Sequence, residues 1–115
     1  MFDNKTTLDE LKSIVESFVD ERDWQQFHNP KNLTMALSVE TAELMELFQW
    51  LSLDQAREVM KAGDIRENAI DEIADIVIYT LAFCNRNNID IADAIKKKME
   101  KNIQKYPADK YKGHF

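Results

Sequence analysis

The sequence predicts an all-α protein, with four to five helices per protomer forming a bundle that homo-oligomerisation completes. Three observations carry the fold class. Gly and Pro number only two each among 115 residues, whereas a sandwich or barrel needs a turn signal about every 8–12 residues. Capping signals stand ahead of the periodic stretches. Within those stretches, apolar residues recur at helical spacing. The length suits one domain spanning residues 1–115, and a hydrophobic share of 44% is enough for a packed core. The helical part is expected over residues 7–105, with an extended tail from 106 to 115.

Thr7-Leu8-Asp9-Glu10 reads as a capping box, Thr at the N-cap and Glu at N3. Leu8, Leu11, Val15 and Phe18 follow at helical spacing, so the first helix runs to Trp24. Gln25 to Asn29 is a polar connection. Pro30 suits the first turn of a second helix reaching Leu51, with Asn29 as its cap. Ser52-Leu53-Asp54-Gln55 opens a short third helix, which Ala62-Gly63 closes, with Gly at C′. Asp64-Ile65-Arg66-Glu67 starts a fourth helix to Arg86. Asn87-Asn88 turns the chain, since Asn tolerates left-handed geometry. Asp90 caps a fifth helix to Lys105, and Pro107 stops it. The tail from Ala108 to Phe115 lacks periodicity.

The chain carries 15 Lys and Arg against 21 Asp and Glu, a formal charge of −6. That excludes a general binder of nucleic-acid polymers, which shows a basic face. It leaves a phosphate ligand open, because a bound cation reverses the local sign. A single cysteine, Cys84, permits no internal disulfide and no Cys-based zinc site, and points to a reducing, cytoplasmic setting. The N-terminus lacks the basic and apolar regions of a signal peptide. The most apolar run, Ile73 to Cys84, is too short for a membrane span of about 20 residues.

Two helices break the amphipathic pattern. In the second, Leu33, Leu37, Leu44, Leu47, Phe48 and Leu51 form one stripe. Glu40 falls inside that stripe and Glu43 on its edge, at about 340° and 280° from Leu33. In the fourth, Glu72, Tyr79 and Asp75 border the core direction set by Ile65, Ala69, Ile73, Ile76, Phe83 and Cys84. Carboxylates on an apolar surface are costly unless paired or bound to a metal. If the helices pack antiparallel, four acids converge, and a hard divalent cation compensates them. Oxygen ligands favour Mg²⁺, with Mn²⁺ as a substitute, over zinc or copper. A di-iron bundle needs Glu-x-x-His pairs, and neither His28 nor His114 supplies one. Salt bridges to Arg66, Arg86 or Lys98 are the competing explanation of the acids. The fourth helix is apolar over half its circumference, which calls for a partner subunit.

Other residues have two readings. Trp24 and Trp50, at helix ends, are core residues or platforms for a base. Tyr79 packs on a sugar or lies in an interface. His28 is a local hydrogen-bonder rather than a catalyst. Lys96 to Lys98 alone make a solvated cationic face near a helix C-terminus.

Glu40-Thr41-Ala42-Glu43, then 28 residues, then Glu72-Ile73-Ala74-Asp75 resembles the signature of the MazG-like all-α nucleoside triphosphate pyrophosphohydrolases. Glu21 to His28, Pro30 to Leu33, Glu43-Leu44, Glu46 to Trp50, Asp75 to Tyr79, Asn102 and Tyr106-Pro107 resemble the dCTP pyrophosphatase branch of that superfamily. The likeness covers residues 8 to 107. It implies homodimers, or dimers of dimers, that use Mg²⁺ to hydrolyse a nucleoside triphosphate to the monophosphate and pyrophosphate. It implies Glu40, Glu43, Glu72 and Asp75 as metal ligands; of these, Glu43 at the stripe edge is the candidate to orient or deprotonate the attacking water, with Glu40 as a second catalytic candidate. It implies Trp24, Trp50 and Tyr79 around base and sugar, Lys98 and Asn102 near the nucleotide, and Arg86 and Tyr106 as further contacts. A first-helix His of the animal enzymes in this branch falls at Val15 here, which weakens the transfer of their base preference. The alternatives are another nucleotide substrate (dUTP, phosphoribosyl-ATP or a modified triphosphate) or a non-catalytic nucleotide-binding helical dimer.

Overall fold

A computed structural model describes residues 1–114. It contains six α-helices and one 3₁₀ turn, and no strand among the described residues. Helix α1 spans Leu8–Glu21, and the 3₁₀ turn spans Gln25–Phe27. The others are α2 (Pro30–Glu46), α3 (Leu53–Val59), α4 (Asp64–Arg86), α5 (Ile91–Lys105) and α6 (Ala108–Tyr111). The caps follow local chemistry. Thr7, Asn29, Ser52 and Asp90 each accept a hydrogen bond from the backbone N–H three residues on. Only Ser52 forms the reciprocal box, with the Gln55 side chain accepting from the Ser52 N–H.

Four boundaries differ from the expectations, each for a local reason. Helix α1 ends at Glu21 because Asp23 takes a left-handed φ of 52°, which places Trp24 beyond the helix. Helix α2 ends at Glu46 rather than Leu51. There the N–H groups of Leu47 and Phe48 turn to carbonyls three residues back, so the last stretch is a series of tight turns. Gly63, at φ 101°, is the N-cap of α4 and not the C′ residue of α3, whose C-cap is Met60. The helix count is six, not four to five, because the tail is not wholly extended. Pro107 starts the short α6, and the Tyr106 and Tyr111 rings meet edge to face at 5.3 Å. Phe115 lies outside the described residues.

Helices α2 and α4 form the main packed pair, and α1 lies against α4. Leu33 of α2 meets Leu81 and Ala82 of α4, while Glu40 meets Glu72, so the pair runs antiparallel. Val15 of α1 completes this cluster, with Leu11, Tyr79, Phe83 and Ile91 packed around it. Two bonds tie α1 to the end of α4. The Lys12 ammonium donates to the Ile89 carbonyl and the Asn85 amide donates to the Lys12 carbonyl, both at 2.9 Å.

The core is small for the chain. Among the described residues, only Val15, Val19, Leu33, Ala69, Leu81, Ala82 and Cys84 are buried apolar residues. Ile70, Ile73, Val77 and Ile78 of α4, and Met35, Val39 and Met45 of α2, remain substantially exposed. The chain exposes 9,221 Å², against about 6,500 Å² for a self-contained monomer of its mass. Its radius of gyration is 17.2 Å, against about 13 Å for a compact chain of this length. No helix among the described residues is long and apolar enough to cross a membrane.

Candidate active site and metal centre

The antiparallel register of α2 and α4 places the Glu-x-x-Glu of one helix opposite the Glu-x-x-Asp of the other. One oxygen from each of Glu40, Glu43 and Glu72 lies within 4.8 Å of the other two. Glu40 and Glu72 are half-buried, and Glu43 is exposed at the mouth. The buried Oε2 atoms of Glu40 and Glu72 have no hydrogen-bond partner. Among the described residues, none of the five ion pairs includes Glu40, Glu43, Glu72 or Asp75. The competing salt-bridge explanation therefore has no support. Arg86 pairs with Glu16 at 3.7 Å, and Arg66 donates to the Met60 carbonyl.

The carboxyl of Glu40 titrates above the ordinary carboxylate range. The main cause is its contact with Glu72, which becomes a hydrogen bond only when one of the two holds a proton. Burial and the charge of Asp75 push in the same direction, while a bond to Glu43 opposes them. Burial first, and then the charges of Glu40 and Asp75, likewise raise the Tyr79 phenol. Asp75 and Tyr79 thus border the acid group, and Asp75 lies outside the three-oxygen cluster.

The donor set fits a hard divalent cation. Such a cation takes oxygen ligands, carboxylates above all. Two of the three carboxylates, those of Glu40 and Glu72, carry a buried oxygen without a partner. Glu40, Glu43 and Glu72 would hold the ion directly, with Asp75 adjacent.

The remaining expected site residues are spread out. Trp24 is partly exposed and meets Phe18 edge to face at 5.7 Å. Trp50 is 86% exposed in the turns after α2, because the helix that would have aligned it with Glu43 has already ended. Lys98 and Asn102 lie on α5, and Tyr106 follows it, edge to face with Tyr111. No ion pair or hydrogen bond among the described residues joins these groups to the acids.

His28 has a larger part than the sequence suggested. Its Nδ1 is buried without a partner, and it lies within the electrostatic field of both Arg86 and Glu16. Burial and then Arg86 lower its pKa, with Glu16 opposing. A polar connection between two helices carries no sign of this, since Glu16, His28 and Arg86 are distant along the chain. The lowered pKa has a sign. Below 6.5 the unfolded histidine binds a proton before the folded one does, so stability falls with pH in that window. The melting temperature is expected to drop between pH 6.5 and about 5, and His28→Gln to flatten that drop. Equal slopes for both proteins in a thermal-melt series would refute it.

Comparison with known proteins bears on the same residues. The MazG-like family model matches residues 35–114, which hold all four acids. The chain belongs to the MazG-like family. Among curated MazG-like relatives, dCTP pyrophosphatase 1 of Rattus norvegicus is 39% identical over 114 residues, covering 97% of this chain and 66% of that protein. Human dCTP pyrophosphatase 1 is 38% identical over 109 residues, covering 93% and 63%. The chain thus spans slightly under two thirds of these relatives. A solved structure of a pyrophosphatase from Archaeoglobus fulgidus is 41% identical, with a TM-score of 0.83, covering 93% of this chain and 98% of that one. The helical arrangement of that structure is therefore shared along nearly the whole chain.

Proposed function

We propose that the protein is a Mg²⁺-dependent nucleoside triphosphate pyrophosphohydrolase, with a dCTP-like deoxynucleotide as its favoured substrate. The observation that carries this reading is the acid group, with two buried carboxylate oxygens lacking any partner. The names of the rat and human relatives and of the archaeal structure support it. A purely interacting helical module has no use for inward carboxylates whose mutual repulsion it must offset.

A bound Mg²⁺ supplies positive charge against the phosphates and lowers the pKa of water. The chain's residues supply placement. Glu43, the exposed member, faces the solvent from which water arrives. In the reaction, a water oxygen forms a bond to the α-phosphorus as the bond from that phosphorus to the bridging oxygen breaks. Pyrophosphate leaves and the water proton passes to Glu43. Tyr79, beside Glu40 and Asp75, is placed to pack on the sugar. Trp24, Trp50, Arg86, Lys98, Asn102 and Tyr106 are proposed nucleotide contacts, several needing a partner subunit to bring them in. The excess of exposed surface supports a homodimer or homotetramer as the working form. The single buried Cys84 suits a reducing cytoplasm.

The test is a panel of canonical and modified triphosphates with Mg²⁺, scored for pyrophosphate. The expected result is pyrophosphate and monophosphate, with dCTP or a close analogue turned over fastest and activity lost in a chelator. Orthophosphate as product would assign another bond. Tight binding without product across the panel would make the protein a nucleotide-binding regulator.

A further inference from the structure

Trp24 stands at a firmly built corner of the chain. Helix α1 closes with the two bonds of a Schellman turn. The Asp23 N–H donates to the Asp20 carbonyl and the Trp24 N–H to the Val19 carbonyl, both at 3.1 Å. The turn passes through Asp23 at a φ of 52°, a left-handed conformation that the closing bonds hold without the help of a glycine. Side chains brace the stretch that follows. The Gln25 amide donates to the Asp20 carboxylate, and the Gln26 amide to the Asp23 carbonyl. The backbone is thus tied on both sides of Trp24, and the freedom left to the indole is its two side-chain torsions.

A second held group meets that indole. The Arg22 guanidinium lies over the Phe18 ring, 3.7 Å from its centroid, and its Nη1 donates to the Phe18 carbonyl at 3.0 Å. One cation therefore grips both the ring and the backbone of Phe18. Trp24 meets this ring at 75° with the centroids 5.7 Å apart, within the range of an attractive edge-to-face pair. Phe18 is 47% exposed and takes no part in the cluster around Leu33, so its contacts serve the indole rather than the core. Trp50 is the contrast. It is the other tryptophan of the chain, and among the described residues no aromatic ring pairs with it.

A stacking surface binds best when it is ordered before its ligand arrives, because fixing a side chain on binding weakens affinity. We infer that Phe18, clamped by Arg22, is a positioning residue that presets the Trp24 indole as a platform for the base of the nucleotide. The inference rests on the proposed reading of Trp24 as a nucleotide contact. It adds a residue that acts on the base-bearing half of the ligand and leaves the cleaved bond alone.

The test compares Phe18→Leu, which removes the ring, with Phe18→Tyr, which keeps it. Anisotropy and near-ultraviolet circular dichroism are read in a Trp50→Phe background, where Trp24 is the sole indole. Affinity is read by calorimetry with both tryptophans present, using the non-hydrolysable α,β-imido analogue of dCTP with Mg²⁺. Inorganic tripolyphosphate with Mg²⁺ is the ligand without a base. Phe18→Leu should lower the anisotropy of Trp24 and weaken the nucleotide analogue by about 3- to 10-fold, with helical circular dichroism retained and tripolyphosphate affinity within twofold. Phe18→Tyr should restore both readings. Arg22→Met, which leaves the ring without its clamp, should move both in the direction of Phe18→Leu by a smaller factor.

Unchanged analogue affinity in Phe18→Leu would overturn the inference. So would equal weakening of tripolyphosphate, which marks a general loss of structure, or a Phe18→Tyr chain that behaves like Phe18→Leu. A wild type that binds the analogue in a Phe18-dependent way but releases no pyrophosphate from any triphosphate would fell the proposed reaction and leave the platform standing. A wild type that binds no analogue would overturn the platform together with that reaction.

Discussion

Glu43→Gln is expected to lower pyrophosphate release by about 10²–10⁴-fold, the range for loss of a positioned proton acceptor, while the folded protein melts at its wild-type temperature. The two halves of this result have separate physical causes. Glu43 is exposed and belongs to neither the buried cluster nor any ion pair among the described residues, so the amide disturbs no packing. At the mouth of the acid group, however, it is the carboxylate best placed to accept a proton from incoming water. Gln keeps the shape and one carbonyl oxygen but cannot act as a base at neutral pH. Glu46→Gln is the control. Glu46 is the last residue of α2 and lies outside the three-oxygen group, so its rate should stay near wild type. Near-wild-type turnover by Glu43→Gln in a steady-state assay would remove Glu43 from the reaction.

Leu33→Ala is expected to cost about 2–5 kcal/mol, and to lower the melting temperature by roughly 10 °C or more at fixed protein concentration. Leu33 is 2% exposed and is the one buried residue of α2. It holds α2 to Leu81 and Ala82 of α4 and to Val15 of α1. With seven buried apolar residues among the described ones, no neighbouring cluster compensates its loss. The substitution also loosens the antiparallel register that sets Glu40 opposite Glu72, so activity should fall together with stability. A thermal shift of only a degree or two, in calorimetry at matched concentration, would show that the pair is held mainly by contacts outside this cluster.

The contrast between these variants separates what was legible along the chain from what was not. Short-range signals read well. Asn29, Ser52 and Asp90 cap the helices they precede, because a side-chain oxygen satisfying an N–H three residues on is purely local chemistry. Asn88 does adopt the left-handed conformation, with φ 53°. The acids were legible because helical periodicity makes a carboxylate in a leucine stripe visible without a fold. The same wheel misled beyond Glu46. It assumed that α2 continued to Leu51 and so aligned Trp50 with Glu43, whereas the backbone turns away first. Gly63 was legible as punctuation but not as the start of α4 rather than the end of α3, since a glycine of positive φ serves either. The short α6 has too few residues for any period to register.

The sequence by itself determined the helical class, most of the caps, the two acid pairs and the MazG-like likeness. These depend on spacing within about a turn or two of helix, where neighbours along the chain are also neighbours in space. Only the tertiary structure decided which acids lie together, which oxygens are left without partners, that Asp75 stands beside the cluster, and that His28 lies in the field of Arg86 and Glu16. Each of these depends on the register between helices, which packing of Leu33 against Leu81 and Ala82 selects and no single helix encodes.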